Sequence, residues 1–250
     1  MKSFIVKNKV TYFILGVLFI FLLWTLGNNY FNNDYILPSV SQTFTAFLNL
    51  LSKGKTYVIL GYTLSRLFIS IVVCFILGVL LASLSKISSK FKAFIKPLMI
   101  MFKTLPVMVV IILLLVMLEE ASLYYIVGVV VLPLIYEATI NGLDAIDLHI
   151  IDEVKMVSNI NFTVVKDVYL PLTLPYIITS LLQSVGLGLK VLIMAEFISN
   201  TNNSIGYQII LYMNSYKEMS YVYAWGIILV IFIIVIDLLI KHIYEKKILV

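Results

Sequence analysis

The chain has 250 residues, 62% of them hydrophobic and 12% charged, with a formal net charge of +5. A soluble domain of this length needs far more charge on its surface, so the composition excludes one. The apolar runs are continuous rather than alternating, which excludes a transmembrane barrel and leaves an all-α, polytopic membrane protein.

The N-terminus reads MKSFIVKNKVTYFILGVLFIFLLWTLGNNYF. No small-x-small cleavage site follows its apolar run, so it predicts a retained first span over about 11–28 rather than a removed leader. Next comes LPSVSQTFTAFLNLL. Ser39 or Ser41 can cap a short helix there, and Val40, Phe44, Phe47, Leu48 and Leu51 share one face at helical spacing. That helix is expected to lie in the membrane interface or to dock on the bundle.

A second span is predicted over about 57–85. It carries Arg66, expected to snorkel outward, and Cys74. A lone cysteine makes no internal disulfide and no metal cluster. The third and fourth spans, about 97–118 and 122–142, are joined by LEEAS, so they are expected to be tight antiparallel neighbours.

A long polar insert then separates two apolar runs. Ile150, Ile151, Val154 and Val157 form an apolar stripe flanked by Asp152, Glu153 and Lys155. SNIN at 158–161 interrupts it, and Asn161 can cap a second helix containing Phe162, Val165, Val168 and Tyr169. LPLTLP then marks the return to the membrane. The predicted picture is two short amphipathic helices meeting at a turn. Their stripe either folds back on the bundle or enters a groove on another protein.

The fifth span, about 172–198, places Gln183, Gly186 and Lys190 on one face. Gly186 and Gly188 remove bulk beside the lysine. Lys190 then either attracts an anionic substrate or pairs with Glu137, Glu196 or a backbone carbonyl. Glu196 is open to the same two readings, gate residue or bundle ion pair. A loop with a short helix leads to the sixth span, about 220–241, where Asp237 stands four residues before Lys241.

Twelve of the lysines flank the spans on one side: Lys2, Lys7, Lys9, Lys86, Lys90, Lys92, Lys96, Lys155, Lys166, Lys241, Lys246 and Lys247. The other side has Lys53, Lys55 and Lys217. This bias predicts a multi-pass cell-membrane protein with both termini, and the insert, in the cytoplasm.

DEVKMVSNINFTVVKDVYLP resembles the loop of permease subunits of bacterial ABC importers. Asp152-Glu153-Val154 stands on that family's Glu-Ala-Ala, Ser158 on its glycine and Leu170-Pro171 on its closing Leu-Pro. Glu153, Val154 and Ser158 depart from the pattern. The resemblance runs over roughly 37–240 and is to the nitrate, sulfonate and taurine branch. It rests further on LPSVSQ, on TLSRLFISIVVCFILGVLLASL with Arg66 and Gly78, on the fifth span, on NSIGYQI and on Asp237. A usual second proline is absent from span three, and Glu119-Glu120 replaces a glycine-rich turn.

The resemblance implies a type I importer permease fold. It comprises an N-terminal span and flank over 1–36, an outer helix over 37–55 and a core over 57–241 with a coupling loop at about 144–170. It implies that Asp152, Glu153, Val154, Val157, Ser158, Asn159 and Phe162 couple to a cytoplasmic ABC ATPase subunit. Gln183, Gly186, Lys190, Glu196 and Arg66 are candidate pathway or gate residues. An extracellular substrate-binding lipoprotein and a second copy of the permease are the other implied partners, in a surround of membrane lipid and with no nucleic acid. The substrate reading is a small organic anion such as a sulfonate; a thiamine-precursor or riboflavin-like compound is the alternative.

The chain has no GxxxxGK[ST] phosphate cradle, so ATP hydrolysis is expected in a separate subunit and no cofactor is predicted. An ATP-independent channel or carrier needs repeat halves or several mid-membrane ionisable groups, neither of which stands out. An enzyme needs a reactive constellation, which two isolated histidines do not supply, so no catalytic residue is assigned.

Overall fold

A computed structural model describes residues 2–157 and 161–248. The described residues form helices joined by turns and short irregular connections, with no strand among them. Helix α1 (Lys2–Phe31) leads to α2 (Val40–Ser52), α3 (Gly54–Ile87), α4 (Ser89–Thr104) and α5 (Val107–Leu118). A single 3-10 turn (Glu119–Ala121) joins α5 to α6 (Ser122–Asp144). The insert forms α7 (Leu148–Val157), α8 (Phe162–Val164) and a π turn that runs into α9 (Leu170–Ser199). Then come α10 (Ile205–Ile210), a second π turn and α11 (Met219–Ile248).

Five helical runs among the described residues are long and apolar enough to cross a membrane: Thr11–Phe31, Gly54–Ile87, Val107–Asp144, Val165–Ser199 and Met219–His242. The Val107–Asp144 run is a hairpin. Glu119 reverses the chain with φ of 49°, and the two arms stay side by side as far as Lys103, whose ammonium meets Glu137 at 2.7 Å. The tight turn expected from LEEAS is therefore present.

The expected continuous third span, 97–118, is not. It breaks at Leu105–Pro106 into α4 and α5. Pro106 donates no backbone hydrogen bond, and Leu105 before it takes the extended conformation (ψ 131°) that a following proline imposes. Helix α5 alone, at 12 residues, is about 18 Å long and too short to cross.

Helices α3, α6 and α9 build the central core. Leu67, Ile71 and Cys74 of α3 meet Ile126, Val127, Val131 and Ile135 of α6 and Leu189, Leu192 and Ala195 of α9, all buried. Lipid is as apolar as these side chains, so close packing and interhelical hydrogen bonds hold the helices together. Ser70 Oγ donates to the Tyr124 carbonyl at 3.2 Å, and Tyr136 Oη donates to Ser85 Oγ at 3.0 Å. A second cluster, Ala46 and Leu50 of α2 with Ile59, Ile205, Ala224 and Trp225, sits at the end that carries the Glu119 turn.

Gly78 marks the closest approach of α3 to α6. A Cβ there would stand 2.9 Å from Ile135 Cγ2 and 3.3 Å from the Tyr136 backbone nitrogen. Gly78→Val is expected to destabilise the bundle by about 1–3 kcal/mol, read as a lower melting temperature in detergent. Gly128→Ala, whose Cβ would meet only the Cys74 sulfur at 3.5 Å, serves as the near-neutral comparison.

Ser39 caps α2, with its hydroxyl accepting from Gln42 N and the Gln42 side chain accepting from Ser39 N. The docking face is centred on Thr43, Ala46 and Leu50; of the predicted stripe Phe47 packs beside them and Val40 and Leu51 are half-buried, while Phe44 and Leu48 are left exposed. Small side chains let α2 approach α11 closely, which a count of large apolar residues does not register.

Helix α1 is peripheral. From residue 11 to 31 only Trp24, Gly27 and Asn28 are even half-buried. Trp24 Nε1 donates to the Pro38 carbonyl at 2.9 Å and Asn28 Nδ2 to the Leu37 carbonyl at 2.7 Å.

Candidate functional site

Near the Glu119 end, a buried carboxylate joins three helices. Glu196 of α9 is 0% exposed. Arg66 of α3 donates to its Oε1 at 3.0 Å, Thr63 Oγ1 donates at 2.9 Å, and the Gly206 backbone N–H of α10 donates to Oε2 at 3.3 Å. Thr63 Oγ1 also accepts from Ile205 N at 3.2 Å. The carboxylate thus takes up one backbone donor at the start of α10 directly, Gly206 N, and Thr63 takes up another, Ile205 N; Ser204 also caps that helix. Gly206 is required for this approach: a Cβ would stand 2.4 Å from Phe197 N and 2.6 Å from the Glu196 carbonyl carbon.

The expectation that Arg66 snorkels outward is overturned. Its side chain is 14% exposed and turns inward to Glu196, because a buried carboxylate is a stronger partner than the interface. Thr63 was not singled out in the sequence. Its spacing of three residues before Arg66, on one helical face, is the signal that would have found it.

The remaining membrane charges pair as well. Lys103 and Glu137 link α4 to α6 at 2.7 Å, and Lys241 meets Asp237 at 2.6 Å, as the i+4 spacing predicts. Asp144 at the end of α6 is held between Lys86 (2.7 Å) and Lys92 (3.0 Å).

Lys190 is the exception. Both acids that could have neutralised it are engaged elsewhere, and it has no ion-pair partner among the described residues. It lies on an exposed face of α9 with Thr179, Gln183 and Leu187. Gly186 borders that face, and a Cβ there would meet nothing within 4 Å. Gly188 does not share it. Its position packs against Leu67, Val131 and Val127, so of the two glycines only Gly186 opens space beside the lysine. Gln183, Gly186 and Lys190 therefore stand together, while Arg66 and Glu196 form a separate buried pair.

In the insert, Asp147 opens α7 by accepting from His149 N at 2.9 Å, and Asn161 caps the second helix by accepting from Val164 N at 2.9 Å. The first of the two predicted helices is present as α7, but the second is not a separate short helix: α8 and the π turn run without a break into α9, so Pro171 and Pro175 do not interrupt the chain before the membrane. Asp152 and Glu153 are exposed, and Ile150, Ile151 and Val154 are half-buried. Ile150 borders a hollow of about 260 Å3 shared with Gly142, Ile146, Leu172 and Tyr176, so part of the stripe folds back toward the bundle. Met156, which is not part of the stripe, is 85% exposed. Ser158 and Asn159, and the side chains of Val157 and Phe162, lie outside the described residues.

A family model for the binding-protein-dependent transport system inner membrane component matches residues 74–248. The chain belongs to that family. It is an integral membrane permease component of a binding-protein-dependent ABC transporter, and its helical architecture is consistent with the type I permease fold. Membership implies an ATPase and a substrate-binding protein as partners. The matched segment begins inside α3, so α1 and α2 of the permease fall outside it. A comparison with curated proteins finds no match.

Proposed function

We propose that this permease, as a dimer of identical chains, forms the pathway of an ATP-driven importer for a small organic anion such as a sulfonate. This places it in the nitrate, sulfonate and taurine branch. The supporting observation is the Lys190 ammonium, without an ion-pair partner among the described residues, on the open face of α9 beside Gln183 and Gly186. A lone cation facing hydrocarbon costs at least about 2.5 kcal/mol on insertion scales, so that face is assigned to a polar path. Arg66 and Glu196 act here as a strut behind the path. With both termini in the cytoplasm, α7 and α8 dock in a cleft of the ATPase. ATP binding closes the ATPase pair, and the insert carries that motion into α6 and α9.

A thiamine-precursor pyrimidine is the second reading. The carboxylates of Glu119 and Glu120 favour it, since they border a hollow of about 410 Å3 with Ile198, Ser199 and Thr201.

The test is uptake in proteoliposomes containing the permease, its ATPase and its binding protein. Lys190→Ala is expected to raise KM for the anion about tenfold or more, the size of one hydrogen bond to a charged group, with Lys190→Arg restoring most of it. An unchanged KM would remove Lys190 from the path. ATP-independent uptake would remove the importer reading altogether.

A further inference from the structure

The turn between α3 and α4 carries four lysines and no acid in eleven residues, KISSKFKAFIK at 86–96. Ser88 makes the corner, its hydroxyl accepting from Phe91 N at 3.2 Å. Asp144 engages Lys86 and Lys92 and offsets one of the four charges. Lys90 and Lys96 are exposed and have no ion-pair partner among the described residues. Two large apolar side chains stand exposed beside them, Ile87 at 82% and Phe94 at 77%.

The order of residues along α4 gives this corner its chemistry. Ile95 and Met99 bury the inner side of the helix against Ala82, Tyr136 and Ile140. The outer side reads Lys90, Phe94, Leu98, Met101 at helical spacing, all exposed. Along this outer side charge therefore sits at the start of the helix and gives way to apolar side chains, while Lys103 in the last turn faces Glu137 of α6. A bilayer has the same gradient, from headgroup phosphate to acyl chain.

We propose that the α3–α4 corner is a binding site for an anionic phospholipid. Lys90 and Lys96 hold the headgroup phosphate, and Phe94, Leu98 and Met101 lie along an acyl chain. The Lys86–Asp144–Lys92 cluster fixes the corner. Lys96 stands six residues after Lys90, about 120° round the helix, so its long side chain snorkels back toward the start of α4 to reach the same phosphate. A water-soluble partner such as the ATPase fits less well, because the lysine face continues into the apolar stretch that crosses the membrane. The proposal rests on the reading that this lysine-rich end lies at the cytoplasmic leaflet.

The test uses the permease–ATPase complex in nanodiscs of phosphatidylcholine doped with phosphatidylglycerol. Native mass spectrometry counts the phosphatidylglycerol retained, and thermal melting measures the stabilisation it confers. Lys90→Gln with Lys96→Gln removes two charges and touches neither the Asp144 cluster nor the core. The expected result is a tenfold to about thirtyfold loss of phosphatidylglycerol affinity, at roughly 1 kcal/mol per lysine. Loss of the melting shift should accompany it.

Equal retention by the double variant would overturn the site. So would an equal melting shift from inorganic phosphate, which would make it a simple anion site. Loss of the ATPase from the variant with lipid retention unchanged would make the corner a protein interface. Nanodiscs expose both faces, so lipid binding is measured independently of orientation. A membrane-impermeant maleimide on a Lys90→Cys variant in intact cells tests orientation separately. Labelling there overturns the cytoplasmic placement and leaves the lipid result to stand or fall by itself.

Discussion

Glu196→Ala is expected to destabilise the permease by about 3–5 kcal/mol, among the largest losses any single truncation in the bundle would produce. The substitution removes the partner of a guanidinium that is 14% exposed and leaves Thr63 Oγ1 and the Gly206 N–H without their acceptor. An uncompensated buried cation has no inexpensive alternative inside a helical bundle. Asp237→Ala is the comparison. Asp237 and Lys241 are an exposed i,i+4 pair, worth under about 1 kcal/mol. Thermal unfolding of the two variants in one detergent should separate them clearly. Glu196→Gln should fall between, since the amide oxygen still accepts from Thr63 and Gly206 while the charge is lost. If Glu196→Ala melts with the parent protein, the buried cluster is not what holds α10 to α9.

This strut also explains the local sequence around α10. Glu196 can accept from Gly206 only because no side chain stands between them, and Ser204 has to turn the chain there to present its backbone donors. The loop that follows is fixed to α11 by stacking, with the Tyr212 and Tyr221 rings 4.5 Å apart and nearly parallel. The end of α9 is therefore tied through Glu196 to a loop anchored on the last span. A displacement of α9 along its axis moves that loop with it.

The parts of the fold that were legible in the sequence are local. Ser39 and Asn161 are recognisable as caps because a short polar side chain reaches its own backbone a few residues on. The span ends in α6 and α9 follow from length and hydropathy, which depend on the bilayer alone. What was missed is non-local or depends on small residues. Lys103–Glu137 and Arg66–Glu196 are separated by 34 and 130 positions, and nothing in spacing selects one acid for one base. The face of α2 was only partly assigned: Phe47 packs as expected, but the centre of the contact is Thr43 and Ala46, which dock by being small. The break at Leu105–Pro106 was readable from the proline itself, but the apolar run around it concealed the interruption. Of the candidate site, the placement of Lys190 on an open face came from periodicity. Its lack of an ion-pair partner among the described residues needed the other pairs to be known.

Glu153→Lys combined with Val154→Asp is expected to abolish ATP-driven uptake while leaving membrane insertion intact. Glu153 is exposed and Val154 is half-buried on the stripe that begins at Ile150. The first change reverses a charge on the outward side of α7, and the second sets a carboxylate into its apolar face. A docked helix of this kind draws its affinity from a few central apolar contacts, so losing one and adding a buried charge should cost at least about 2 kcal/mol. Co-purification of the ATPase should then fall by more than tenfold. Neither residue touches the core clusters of the bundle, so the melting temperature of the isolated permease should stay near that of the parent. The same charge reversal at Glu120, on the opposite end, should leave ATPase association unchanged, which separates docking from a general charge effect. Normal association together with normal uptake in the double variant would show that α7 does not carry the motion of the ATPase into α6 and α9.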